Sequence, residues 1–202
     1  AKVPMLEPSD SEECLQFTKA ALELSEKFDT PFIVRLSTRV SHSQSIVTVG
    51  ERKEYKNKYE KNIGKYVMMP GNAKLRHGVG EERTKKLIEL AETTELNKII
   101  NNNSSLGVIT SGISYQYAAE ALGDRADYLK LGMVNPLPEK LILDFIASHK
   151  EVIVIEELDD IIETHCKKLG GKVTGKELFS PIGEYSSQLI REKLLGDRTE
   201  YI

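Results

Sequence analysis

The run Val152-Ile153-Val154-Ile155 limits the architecture of this chain more than any other segment. Four consecutive β-branched residues, followed at once by Glu156-Glu157, read as a short strand with apolar side chains on both faces. Such a strand needs cover on two sides, and the surrounding sequence alternates to supply it. Leu106–Thr110 and Tyr128–Leu131 read as further strands. Helical spacing recurs at Ile113, Tyr117 and Ala121, at Leu141, Ile142, Phe145 and Ile146, and at Leu158, Ile161, Ile162, His165 and Leu169. Pro136-Leu137-Pro138 makes a stiff lead into the second of these helices. The alternation predicts an α/β fold with a mainly parallel sheet flanked by helices over residues 105–202, with Val152–Ile155 central in that sheet.

The amino-terminal part is built differently. Ser9-Asp10-Ser11-Glu12 has the form of a capping box, in which Ser9 takes the Glu12 amide and the Glu12 carboxylate reaches back. Cys14, Phe17, Ala21, Leu24 and Phe28 then fall on one helical face, and Asp29-Thr30-Pro31 stops the helix. Phe32–Leu36 reads as a strand buried on both faces. One helix and one strand cannot enclose a core, so this block must dock on something else. Glu51–Lys65 carries six Lys/Arg against three Glu and few apolar residues, the composition of an exposed linker. Leu87, Ile88, Ala91 and Leu96 predict a helix over Glu81–Ile100, ended by Asn101-Asn102-Asn103-Ser104. The chain divides into residues 1–45, 46–104 and 105–202. It opens on Ala1 and runs directly into mixed apolar and polar sequence, as the interior of a longer protein does.

Composition excludes several classes. With 28 Lys+Arg, 31 Asp+Glu and a net charge of −3, the chain lacks the basic surplus of a nucleic-acid-binding protein. No apolar run approaches the roughly 20 residues that span a bilayer. Cys14 and Cys166 are too few for a disulfide scaffold, a four-cysteine zinc site or an iron–sulfur cluster, which fits a reducing cytoplasm. Neither GxxxxGK[ST] nor GxGxxG occurs, nor HExxH, and the histidines lack partners at metal spacing, so no metal site is expected. Three segments rise above this background. Arg35-Leu36-Ser37-Thr38-Arg39-Val40-Ser41-His42 lies at the carboxyl end of a strand, the edge where open parallel sheets bind ligands. Its guanidiniums, hydroxyls and imidazole suit a carboxylate, and equally a polar turn at a domain seam. Arg39, Ser41 and His42 are the candidates nearest a substrate or cofactor. Glu156 could bond a ligand or open the following helix, where negative charge is favoured. The Pro136 turn belongs to the same edge or simply initiates its helix.

Leu106-Gly107-Val108-Ile109-Thr110-Ser111-Gly112, Asn135-Pro136-Leu137-Pro138-Glu139 and Val152–Leu158, in that order and spacing, resemble the transketolase C-terminal-type domain. Glu7-Pro8-Ser9-Asp10-Ser11, Thr38-Arg39-Val40-Ser41-His42-Ser43, Ser111–Tyr115 and the tail from Gly175-Lys176-Glu177 to Gly183-Glu184 resemble the large subunit of the indolepyruvate:ferredoxin oxidoreductase family. The resemblance implies a thiamine-diphosphate enzyme that oxidatively decarboxylates aryl pyruvates to aryl-acetyl-CoA and reduces ferredoxin. It also implies magnesium and 4Fe–4S clusters in the complete protein, a smaller beta subunit, and CoA and a 2-oxoacid as substrates. No GDG…N segment and no cysteine cluster is present. The chain is therefore expected to be a middle slice that is inactive alone and binds no cofactor of its own. In that slice residues 1–45 are the remnant of a pyrimidine-binding domain, 46–104 a linker with a helix, and 105–202 the transketolase-like domain. The alternatives are a non-catalytic interaction or oligomerisation module, and a pyruvate or branched-chain oxoacid enzyme.

Overall fold

The computed structural model describes residues 2–52, 54 and 58–197. The chain opens with β1 (Met5–Leu6), α1 (Ser11–Phe28), β2 (Ile33–Val34) and the short α2 (Thr38–His42). The capping box is displaced by one residue. Asp10 is the N-cap and accepts the Glu13 amide at 2.8 Å, while the Glu13 carboxylate accepts the Ser9 amide and hydroxyl at 3.0 and 2.9 Å. Glu13, not Glu12, is the buried glutamate, so the reciprocal bond forms there. The strand expected over Phe32–Leu36 is shorter and is not buried on both faces: Ile33 is 44% exposed and Leu36 45%. Its only sheet partner among the described residues is β1, which leaves β2 at an edge.

Next come α3 (Ile63–Tyr66) and α4 (Pro70–Thr93). Of the expected linker, Lys53, Tyr55, Lys56 and Asn57 lie outside the described residues, and the described positions from Glu51 to Asn62 are exposed. The helix expected over Glu81–Ile100 starts earlier and stops sooner. Pro70 occupies its first turn, where the fixed proline φ is favourable and the missing N–H costs nothing. Its first half holds Gly71, Gly78 and Gly80 and exposes Leu75 and Val79, so no apolar stripe marks it. Leu87 and Ala91 are buried as read, but Lys98–Ile100 is a strand, β3, and the asparagine run follows a strand and not a helix.

The carboxyl half continues with β4 (Leu106–Ser111), α5 (Gly112–Leu122), β5 (Asp127–Leu131), β6 (Met133–Asn135), α6 (Glu139–Ala147), β7 (Glu151–Ile155), α7 (Ile161–Lys168) and α8 (Ser187–Leu195). The α/β class holds, with mixed sheets between helices. Strand order in the larger sheet is β3-β5-β4-β7; β4 runs parallel to both neighbours, and β3 is antiparallel to β5. The central parallel strand is thus β4, and β7 ends the ladder, contrary to expectation. Its outer edge is nevertheless covered: the Val154 amide donates to the Thr174 carbonyl at 2.8 Å, and the Thr174 amide to Val152 at 3.1 Å. Side chains alternate with the strand period. Ile153 and Ile155 pack with Ala118, Leu122 and Ile190, while Val152 and Val154 pack with Ile142, Phe145, Ile162 and Cys166. Leu158 does not share the α7 face; it precedes the helix and is 60% exposed, as Ile161 is 64%, and the buried pair is Ile162 and Cys166.

The second sheet has the order β2-β1-β6, with β1 parallel to β2 and antiparallel to β6. It covers a third cluster of Leu6, Phe17, Leu87 and Met133. Gly132 joins the two sheets, and Asn97 fixes that joint by accepting the amides of Gly132 and Met133 at 3.0 and 2.9 Å. Helix α1 is tied to the larger sheet by a buried ion pair, Lys130 Nζ to Glu13 Oε1 at 2.6 Å. In this way the amino-terminal helix and strands find the partner surface their sequence requires.

Candidate functional site

Four parallel-type strands end together. The residues just beyond β1, β2 and β7 are Glu7, Arg35 and Glu156, and β4 finishes on Ser111. All four line a cleft of about 830 Å³ at the carboxyl edge of the two sheets, the position where open α/β sheets bind ligands. Arg39 and Glu184 also line it.

Glu7 is the fixed point. It is buried; Arg35 donates to its Oε1 from Nη2 at 2.6 Å and from Nε at 3.2 Å, and the Ser111 hydroxyl donates to Oε2 at 3.0 Å. Gly112 opens α5 beside it with φ +51°. A Cβ there would lie 2.9 Å from Glu7 Oε1, so the close approach of this carboxylate to the helix start requires glycine. Glu156 is also buried. Its two oxygens accept the amides of Ile162 and Glu163 at 2.9 Å each, so it caps α7. Burial pushes its carboxyl above the ordinary range, against the pull of those amides and of Lys176. Glu157 accepts the Tyr185 amide at 2.9 Å. Arg39 directs Nη2 and Nε onto one oxygen of Glu184, Oε2, at 2.5 and 2.9 Å. That bond and the charge of Glu184 hold the guanidinium above its ordinary value.

Of the sequence candidates, Arg39 and Glu156 meet in this cleft. Ser41 and His42 do not line it: both are exposed on α2, and Ser41 Oγ donates to the Ser37 carbonyl at 3.0 Å. Glu7 and Glu184 fall in segments that carry the family resemblance, but nothing in the sequence marks either as a site residue; their place in the cleft shows only when distant segments converge. Charge in the cleft is unexpectedly acidic. Glu7, Glu156, Glu157, Asp159 and Glu184 face Arg35 and Arg39, and both cations are already paired.

The chain's metal-ligating side chains are dispersed. Among the described residues no group of three or more His, Cys, Asp or Glu could hold a metal ion. His149 Nε2 lies 3.1 Å from Asp127 in a buried pair, and Cys166 is buried, which pushes its thiol up to about 12.

The α/β fold around this cleft matches that of a solved 2-oxoacid:ferredoxin oxidoreductase. The solved 2-oxoglutarate:ferredoxin oxidoreductase from Magnetococcus marinus, bound to 2-oxoglutarate, coenzyme A and succinyl-CoA, matches with a TM-score of 0.66 at 16% identity, over 96% of this chain and 42% of that one. In sequence the chain is similar to the indolepyruvate oxidoreductase subunit IorA, as its motifs lead one to expect. It is 35% identical over 213 residues to the subunit from Methanothermobacter marburgensis, 35% over 183 residues to that from Archaeoglobus fulgidus and 33% over 220 residues to that from Pyrococcus horikoshii. These matches cover 97%, 87% and 98% of the chain, but only 34%, 29% and 34% of the relatives, so the chain spans about a third of their length. No protein-family profile matches the chain. Among the described residues no helix is long and apolar enough to cross a membrane.

Proposed function

We propose that this chain is part of the large subunit of a thiamine-diphosphate-dependent 2-oxoacid:ferredoxin oxidoreductase, one that oxidatively decarboxylates indolepyruvate and related aryl pyruvates to aryl-acetyl-CoA in the cytoplasm. The observation that carries this reading is the similarity along 97% of the chain to subunits of that name. On this reading residues 1–45 complete a pyrimidine-binding domain, 46–104 link it onward, and 105–202 are the transketolase-like domain. Its partners are the remaining domains of the subunit, a smaller beta subunit, ferredoxin and CoA.

The residues present do not fit the cofactors themselves. A magnesium–diphosphate site needs several free oxygen ligands. The cleft's buried carboxylates are engaged instead, Glu7 by Arg35 and Ser111, and Glu156 by backbone amides. An iron–sulfur cluster needs neighbouring thiolates, whereas Cys14 and Cys166 sit on different helices and the Cys166 thiol keeps its proton. Both groups are therefore assigned to other parts of the complete protein. What this chain contributes is one wall of a substrate cleft. Arg39 offers a permanent planar cation to the carboxylate of an oxoacid.

Arg39→Lys in the complete enzyme tests this. The lysine keeps the charge and loses the fork, so kcat/KM for the oxoacid should fall about ten- to a hundredfold, the effect of a lost charge-assisted hydrogen bond. The melting temperature should hardly move, because an exposed ion pair adds little to folding. A tether between segments predicts the reverse, a lowered melting temperature with near-normal kcat/KM.

A further inference from the structure

A carboxylate ligand entering this cleft meets no unpaired guanidinium: Arg35 is held by Glu7 and Arg39 by Glu184. Binding must therefore exchange one carboxylate for another, and the two incumbents differ greatly. The Glu7 side chain is 9% exposed, bonded through both oxygens and packed against the start of α5. Taking Arg35 from it would leave the buried Glu7 carboxylate without its counter-charge. The Glu184 side chain is 57% exposed and meets Arg39 through a single oxygen. Its backbone is suited to release. Gly183 precedes it with φ +95° and no other atom within 4 Å of where a Cβ would sit, while Tyr185 on the other side is buried and anchored to Glu157 and Ser180. The Glu184 side chain can swing out without disturbing that anchor.

Building on the proposed function, we infer that Glu184 is a built-in competitor for the anionic substrate: it occupies the Arg39 guanidinium until an oxoacid carboxylate displaces it, and so sets how tightly the cleft takes its substrate. The incumbent uses one oxygen for two N–H groups, whereas an incoming carboxylate can place one oxygen on each, the stronger arrangement. Exposed ion pairs are weak, so the exchange is within reach of substrate binding. The competitor also disfavours ligands that lack a carboxylate, because they cannot replace what they would have to evict.

The test is steady-state kinetics of the complete enzyme carrying Glu184→Gln, Arg39→Gln or both. Glu184→Gln should lower KM for the oxoacid about two- to fivefold, the range expected for losing a rival of surface-ion-pair strength. Its kcat should be unchanged, and its melting temperature should stay within about 2 °C of the parent. Arg39→Gln should raise KM, and the double variant should match Arg39→Gln, because without the cation there is nothing to compete for. If Arg39→Gln raises KM but Glu184→Gln leaves it unchanged or raises it, Glu184 is only a tether and the inference fails while the proposed function stands. If Arg39→Gln leaves KM unchanged, the assignment of this wall to the substrate fails, and the competitor with it.

Discussion

Glu13 carries more of the structure than its place in the sequence suggests. It closes the cap of α1 through Ser9 and meets Lys130 from β5 at 2.6 Å, with both side chains buried and the Lys130 ammonium 4.3 Å from the centre of the Tyr115 ring. The partners are 117 residues apart, so no local pattern announces the pair. Lys130 sits inside an apolar strand, where a sequence reading counts it as an outward-facing interruption. The pairs in the cleft are hidden for the same reason: Arg35 and Glu7 are 28 residues apart, and Arg39 and Glu184 are 145. Burial alone would raise the Glu13 carboxyl, but the bonds and charge of Lys130, with the Ser9 bonds, outweigh it and hold the group below its ordinary value. A carboxyl lowered in the folded state stabilises the fold above its unfolded pKa, about 4.3, and loses that contribution as pH falls through the lower folded value. Glu13→Gln should cost about 3–5 kcal/mol at neutral pH by leaving Lys130 buried without its counter-charge. It should also flatten the decline of stability below about pH 4.3. Urea denaturation at a series of pH values checks both; a loss under about 1 kcal/mol would show that the pair is solvated.

Among the elements, the longer strands rich in apolar residues could be read from sequence, and the two- and three-residue strands that depend on distant partners were read less well. Leu106–Thr110, Tyr128–Leu131 and Val152–Ile155 all appear within a residue or so of where their composition puts them. β1 has two residues and depends on β6 more than 120 positions away, and β3 is drawn into antiparallel pairing with β5, so neither has a sequence period of its own. Strand position was harder to read than strand existence. β7 looks central because it is apolar on both faces, yet it ends the ladder and owes its cover to the Thr174 segment and two helical layers. Burial, not rank in the sheet, sets the penalty for charge. Val154 is 1% exposed, and Val154→Asp should cost several kcal/mol by placing an unpaired carboxylate among Ile142, Phe145 and Ile162. For a chain of this size that is about 10 °C in melting temperature. A calorimetric shift below about 2 °C would mean that the Thr174 edge admits water to the strand.

At the scale of the whole molecule, the cleft lies between two blocks, neither of which could form it alone. The cleft takes Glu7 and Arg35 from the small sheet and Ser111 and Glu156 from the large one, and Gly132 is the joint that holds the two sheets together. Two of the polar candidates read from the sequence come together at the carboxyl edge of the sheets: Arg39, on α2 after β2, and Glu156, next after β7, both line the cleft. Ser41 and His42 lie outside the cleft, since two or three more residues along α2 carry the chain to the surface. The chain covers about a third of the relatives' length, so its chemistry has to be measured in a complete protein. The measurement is anaerobic ferredoxin reduction by the full-length subunit reconstituted with its smaller partner, thiamine diphosphate, magnesium and CoA, and offered indolepyruvate, pyruvate and a branched-chain oxoacid in turn. CoA-dependent reduction is expected, with indolepyruvate giving the highest kcat/KM. Ferredoxin reduction with none of the three would contradict the proposed 2-oxoacid oxidoreductase function.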